Sequence, residues 1–350
     1  MIRQSVLNCG LGLMAASLIL STQTASAQTA EAFYLSRPQM KIIISSTVGG
    51  GYDFFGRLAA RYLPNHLPGN PVIVPQNMPG AGGITAANYL YNVSPNDGST
   101  IGVIDRGVAT AELLYGKDSK VLFDVTKFNW IGSLAKEIGV GILSTKSLSK
   151  TIEDLKARET VLASNGFESD SAMYARLLNA TLGTKFRVIA GYPGQVQYYF
   201  AMTRGETEGL FMSGWSGPNR LSAMRDKEAG EINYFVQMST VRNPDFGDTP
   251  TIFELVKDDK NRQIIEILIS RLELGRPFLA PPGVPSDRVK ALREAFRKMA
   301  TDEEMIMDAV KSGNTISPVF GEDAQDMIVR LYGLPEDLKN SMREIVSIQK

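Results

Sequence analysis

The sequence predicts an α/β protein of two lobes, each built from strand, turn and helix units around its own core. Three observations predict this. Short apolar, β-branched runs such as Lys41-Ile42-Ile43-Ile44 alternate with stretches of helical periodicity. The first two strands each pass through a glycine-rich turn straight into a helix. The chain is also long enough for two cores, since 323 residues follow Ala27.

The first 27 residues read as an export signal. Arg3 supplies the positive start, Leu11 to Leu20 the apolar run, and Ala25-Ser26-Ala27 a small-residue cleavage site, so the mature chain is expected to begin at about Gln28. That run is too short to span a bilayer, and no later run reaches about 18 residues, so the mature protein is expected not to span a membrane. Cys9, the only cysteine, falls ahead of the apolar run and is read as incidental, which leaves no disulfide and no cysteine metal site. The chain has 37 Lys+Arg and 37 Asp+Glu; losing Arg3 leaves a net charge of −1 and no nucleic-acid footprint.

The central stretch is Lys41 to Gly83. The first strand ends in Ser45-Ser46-Thr47-Val48-Gly49-Gly50-Gly51-Tyr52-Asp53, and Phe54, Leu58 and Tyr62, beside Phe55, Ala59 and Leu63, give the next helix a broad apolar face. Pro71 to Pro75 is a second strand, Asn77 to Gly83 a second glycine turn, and Ile84, Ala87 and Tyr91 mark a second helix. Two such turns place unpaired backbone N–H groups at one edge of one sheet, which favours a carboxylate or phosphate there. Ordinary tight turns would also use glycine, but two in succession are less easily read that way.

These residues also carry a resemblance. Gly49-Gly50-Gly51-x-Asp53, Asn77-x-Pro79-Gly80-Ala81-Gly82-Gly83 and Ser94-Pro95-Asn96-Asp97-Gly98-Ser99-Thr100, followed by Gly191-Tyr192-Pro193-Gly194, Gly247 to Thr251 and Leu279 to Pro285, resemble the solute receptors of tripartite tricarboxylate transporters, the Bug proteins. The resemblance implies a type II-like periplasmic binding protein: two Rossmann-like lobes joined by crossover strands, with a ligand cleft between them. It implies a small organic acid as ligand, integral membrane transporter subunits as partners, a periplasmic location, a monomer and no cofactor. Three departures bear on the ligand: Ser45-Ser46-Thr47 where such receptors commonly have Pro-Phe-Pro, Tyr52 for a small threonine, and Met78 for an arginine. Both a di- or tricarboxylate and an aromatic monocarboxylate stay open.

Thr100 to Ile104 is a third strand, followed by Asp105-Arg106-Gly107. Arg106 either clamps a ligand carboxylate or pairs with Asp105 or Asp53. The chain then crosses to a second lobe through Ile138 to Leu143, Thr151 caps a helix, and Val161 to Ala163 ends in Ser164-Asn165-Gly166. Ser169 and Ser171 either cap the following helix or face the ligand. Phe186 to Ala190 runs into Gly191-Tyr192-Pro193-Gly194 and a helix to Arg204; Glu208 holds an acidic turn position, and Trp215 either walls a pocket or packs in the core. Leu272 to Ala280 recrosses, Ser286 caps a helix, and three helical segments near Glu303, Asp323 and Pro335 close the chain. The expected division is residues 28–135 and 275–350 in lobe one and 136–274 in lobe two.

The expected cleft residues are Ser46, Thr47, Gly50, Gly51, Tyr52, Asp53, Ala81, Gly82, Gly83 and Arg106 from lobe one, with Ser164, Asn165, Ser169, Ser171, Tyr192, Pro193 and Gly194 from lobe two. Catalysis is disfavoured. The single histidine, His66, falls at the opposite edge of the sheet from the glycine turns, no Gly-x-Ser-x-Gly elbow occurs, and one histidine cannot build a histidine metal site. An all-carboxylate cation site on Asp53 and Asp170 is less expected than helix-start roles for both. Gly51 to Arg57 misses the P-loop lysine, and Gly49-x-Gly51 lacks the third dinucleotide glycine. A ligand sensor for a kinase, or an enzyme acting on a carboxylated or phosphorylated small molecule, are the alternatives to a transport receptor.

Overall fold

The computed structural model describes residues 28–115, 120–166, 169–217 and 219–346; the expected export signal lies outside the described residues. Four strands come first: β1 (Gln39–Ile44), β2 (Val72–Asn77), β3 (Thr100–Val103) and β4 (Asn129–Ser133). The chain then builds β5 (Gly139–Ser144), β6 (Thr160–Ala163), β7 (Phe186–Ile189), β8 (Gly209–Met212) and β9 (Ile232–Met238), and returns for β10 (Pro277–Ala280) and β11 (Val319–Phe320). One sheet has the order β2-β1-β3-β10-β4-β11, the other β7-β6-β8-β5-β9.

Each sheet repeats one arrangement. β1 is flanked in parallel by β2 and β3, and β6 in parallel by β7 and β8, while β10 and β5 run antiparallel beside them. Alternation along β1 explains the layering: Ile42 and Ile44 join Phe55, Leu58 and Ala59 of the Gly51–Tyr62 helix, whereas Ile43 joins Ile84, Ala87 and Leu90 of the Ile84–Asn92 helix. The two helices therefore cover opposite faces, and the crevice they leave at the carboxyl edge of the strands is a ligand position in open α/β sheets. In the second sheet the Asp170–Leu182 and Gln195–Thr203 helices likewise belong to separate cores.

The connections are short. The chain passes between sheets from β4 to β5 and again from a 3₁₀ turn, Arg271–Leu274, to β10. The C-terminal helix, Glu336–Val346, differs from the expected division, which assigned it to lobe one. Its Leu338, Met342 and Ile345 fall on one face and join the core of Leu177, Leu268 and Phe211 in lobe two, where Leu113 and Leu114 of the Val108–Tyr115 helix also pack. Arg343 Nε donates to the Leu113 carbonyl at 2.8 Å, which fastens the two helices together. Trp215 is core, with its ring 4.5 Å from that of Phe246 and its Nε1 donating to Asp245. Ser286 is the first residue of its helix, with Pro285 at the cap position. Among the described residues no helix is long and apolar enough to cross a membrane.

Packing is tight where sheet and helix meet. A Cβ added to Gly132 would stand 2.3 Å from Phe296 Cε1, and Phe296 is fully buried. Gly132→Ala combines this clash with the strain of a φ of +155° and is expected to destabilise the protein by about 3 kcal/mol or more. Gly183→Ala, with nothing within 4 Å but a φ of +72°, should cost about 1 kcal/mol. Urea melts check this, and equal losses at the two positions would contradict the packing argument.

Candidate functional site

The carboxyl ends of β1, β2 and β3 face those of β6, β7 and β8, and the loops leaving them line one cavity of about 470 Å³. The first glycine turn is tied from within. Asp53 accepts from Gly49 N at 2.9 Å, Arg57 Nε at 2.9 Å and Asn77 Nδ2 at 2.8 Å, and Asn77 Nδ2 also reaches the Ser46 carbonyl. Burial raises the Asp53 pKa, but these donors outweigh it and hold the carboxyl below its usual range. Asp53 is thus the internal support of the turn and does not line the central cavity.

The second turn needs its glycines. Gly80, Ala81, Gly82 and Gly83 all have positive φ, a run that side-chain-bearing residues resist. A Cβ on Gly83 would also stand 2.7 Å from the Cβ of Asp105, so the turn lies directly against the end of β3.

In lobe two, Ser164 Oγ lies 2.8 Å from Ser169 Oγ and 2.7 Å from Ser171 Oγ, and both Ser164 and Ser169 donate to the Gly166 carbonyl. Ser164 and Ser171 are buried behind the wall and brace this turn, whereas Asn165 and Ser169 line the cavity. The Ser169 side chain does not cap the helix it precedes. The helices starting at Gly51, Ile84, Asp170 and Gln195 all lack a capping side chain, while those starting at Ile152, Asp259 and Glu303 have one. The helices starting at Ser286 and Gly321 also lack a capping side chain and lie away from the cleft; the four that open on the cleft present their first N–H groups and dipoles to it, which favours an anion there.

Of the expected cleft residues, Ser46, Thr47, Gly50, Gly51, Tyr52, Ala81, Gly82, Gly83, Arg106, Asn165, Ser169, Tyr192, Pro193 and Gly194 line the cavity; Asp53, Ser164 and Ser171 do not. The cavity also takes in Asp105, Asp170, Tyr198, Ser213 and Arg276, which sequence reasoning did not place there. A second cavity of about 510 Å³ adjoins it beyond Gly50, Gly51, Gly194 and Arg276, with Arg57, Arg61 and Asp308 on its wall.

Arg106 pairs with neither Asp105 nor Asp53. Its Nε lies 2.6 Å from Asp170 Oδ2, its Nη2 donates to the Ser213 carbonyl, and its backbone N–H donates to Tyr52 Oη at 3.0 Å. Asp170 also pairs with Arg271, whose Nη1 donates to Thr110 Oγ1. The carboxylate is nearly enclosed. Burial raises its pKa, and the two guanidinium groups more than offset that, leaving it below the usual range. A second pair, Arg276 Nη2 to Glu137 Oε1 at 2.6 Å, joins the two crossing segments, and Arg276 also lies 4.8 Å from the Tyr52 ring centroid. His66 faces Asp302 at 3.2 Å, away from the cleft, and among the described residues no cluster of His, Cys, Asp or Glu is placed to hold a metal.

Comparison with known proteins follows the same outline. Residues 56–332 match the family described as tripartite tricarboxylate transporter family receptor. The fold is similar to that of the periplasmic binding protein BugD (TM-score 0.67, 18% identity, 88% of this chain and 97% of that one). It is also similar to MatC from Rhodopseudomonas palustris with bound malate (0.64, 19%, 88% and 99%) and to another R. palustris protein with adipate (0.65, 19%, 87% and 97%). No curated protein matches the chain significantly.

The buried pair makes a test. Asp170→Asn removes the carboxylate that Arg106 and Arg271 share and should cost about 3 kcal/mol or more. Because the folded-state pKa of Asp170 is depressed, its stabilising contribution is present above about pH 4 and is lost as pH falls through the folded value. Urea midpoints of wild type and variant should therefore converge in acid; a gap unchanged at pH 2.5 would rule the ion pair out as its source.

Proposed function

The chain belongs to the tripartite tricarboxylate transporter family of receptors, and from that premise we propose that it captures a small organic acid between its lobes and delivers it to membrane subunits of that transporter type. The observation that carries this reading is the meeting of four uncapped helix N-termini on one polar cavity between two sheets. Such termini bind anions through backbone amides without needing a free cation. In this reading the amides of Gly51, Ala81 and Gly82 hold one carboxylate, while those of Gly50 and Gly83 donate to the Thr47 and Gly80 carbonyls and close the two turns. Asn165, Ser169 and the Tyr192-Pro193-Gly194 turn contact the rest of the solute. Ser164, Ser171 and Asp53 serve by fixing those loops. The malate and adipate in two fold relatives agree with this chemistry.

Capture works by hinge closure. The short crossings near residues 134–138 and 271–276 are the natural hinge, and the acid shifts the population toward the closed form to the extent that it binds that form more tightly. Residues 1–27 direct export, and the mature chain acts as a soluble monomer in the periplasm, as a receptor and not as an enzyme, in keeping with its family.

Thermal melting of the chain from Gln28 onward, against carboxylic acids, sugars and phosphate esters, tests the ligand class. A carboxylate should raise the midpoint, with about 2.7 kcal/mol of added stability at 100 times its Kd. Gly82→Val, which puts a branched side chain at a φ of +59° on the cavity wall, should abolish most of the shift. A response to sugars or phosphate esters alone overturns the organic-acid reading. Deleting the gene should remove uptake of the acid; loss of a transcriptional response with uptake intact would mark a sensor instead.

A further inference from the structure

Asp105 is the acidic group of the cleft for which the proposed ligand has no obvious use. It stands at the end of β3, lines the cavity, and packs against Gly83 of the second turn. One of its oxygens accepts from Gly107 N at 2.8 Å. Among the described residues it has no ion pair, whereas Asp53, Asp170 and Glu137 each face a guanidinium.

The cations of the cavity are already engaged. Arg106 is taken by Asp170 and the Ser213 carbonyl, and Arg276 by Glu137 and the Gly275 carbonyl. Among the described residues no lysine lines the cavity. Helix N-termini can hold a carboxylate near Ala81 to Gly83, but a second carboxylate close by would meet Asp105 with no counter-charge left over. A positive group on the solute would meet it favourably.

Building on the organic-acid reading above, we propose that the solute is zwitterionic, an amino acid or a related compound whose ammonium pairs with Asp105 while its carboxylate lies on the glycine turns. Asp105 is then a specificity-determining residue of the cleft. Burial pushes its pKa up; Arg106 opposes this, Asp170 adds to it, and the Gly107 N–H and Arg271 also oppose it without cancelling the rise, so a bound cation would favour its charged form. The structural role of Asp105 is the bond from Gly107 N, which holds the loop before the Val108–Tyr115 helix. An asparagine oxygen can still accept that bond, though more weakly than a carboxylate, so Asp105→Asn keeps the loop contact while removing the charge.

Calorimetric titration of the mature wild-type chain with two matched sets gives the test: succinate against aspartate, and adipate against 2-aminoadipate and 6-aminohexanoate. At least one amino compound should bind about tenfold or more tightly than its dicarboxylate counterpart, the scale of one charge pair. Asp105→Asn should erase that preference while leaving the ligand-free melting midpoint near the wild-type value. Dicarboxylates binding more tightly than every amino counterpart in the wild type would overturn the role of Asp105 and leave the receptor reading intact. A preference unchanged in Asp105→Asn would also overturn it. No binding of any acid would overturn both. The wild-type comparison stands by itself should the variant fail to fold.

Discussion

Charge buried between the lobes is the constraint on which the rest of the structure depends. Asp170 lies between Arg106 and Arg271, and Glu137 faces Arg276, all nearly closed to solvent. Charges this deep are tolerated only when paired and hydrogen-bonded, so each partner fixes the position of the others. Arg106 follows β3 of one sheet and Asp170 opens a helix of the other; the pair therefore sets how the two walls of the cleft approach. Arg276 and Glu137 come from the two crossing segments, and Arg276 touches both the Tyr52 ring and the space beside Gly51. The crossing segments and the cavity loops thus share a residue.

The site itself is made mostly of backbone. Each lobe places a central strand between two parallel neighbours and sends a helix to either face. This double arrangement delivers two N-termini per lobe to the same crevice, which is why a cavity with few free cations can still attract an acid. Side chains then differentiate the lobes. Glycines with positive φ form the second turn of lobe one, while a cluster of three serine hydroxyls braces the first turn of lobe two. Membership of a receptor family agrees with such a plan, because loops on a shared scaffold can change the solute without changing the fold.

The C-terminal helix and the helix after Arg106 show how the lobes are linked away from the cleft. Both contribute to the core of lobe two, and the Arg343 to Leu113 bond fastens them together. The helix after Arg106 follows β3 of the first sheet, so the strand that ends in the cleft is connected to packing on the far lobe.

The strand-turn-helix units, the apolar faces of their helices and the glycine turns were legible in the sequence, because each depends on residues within a few positions of one another. The family pattern was legible for the same reason: its motifs are local. Most of the cavity-lining residues followed from these turns. The partner of Arg106 was not legible, since Asp170 is 64 residues away and nothing in the local pattern separates it from a helix-start charge. Arg276 was hidden in a segment read only as a crossing, and Asp105 in a pair that does not form. Ser164 and Ser171 had the right chemistry at the right strand end, yet their hydroxyls turn toward one another and leave the wall to Ser169. Local sequence decided which backbone amides would be free; tertiary structure decided which charges would meet, because burial leaves a charged group stable only where the fold brings it an opposite one.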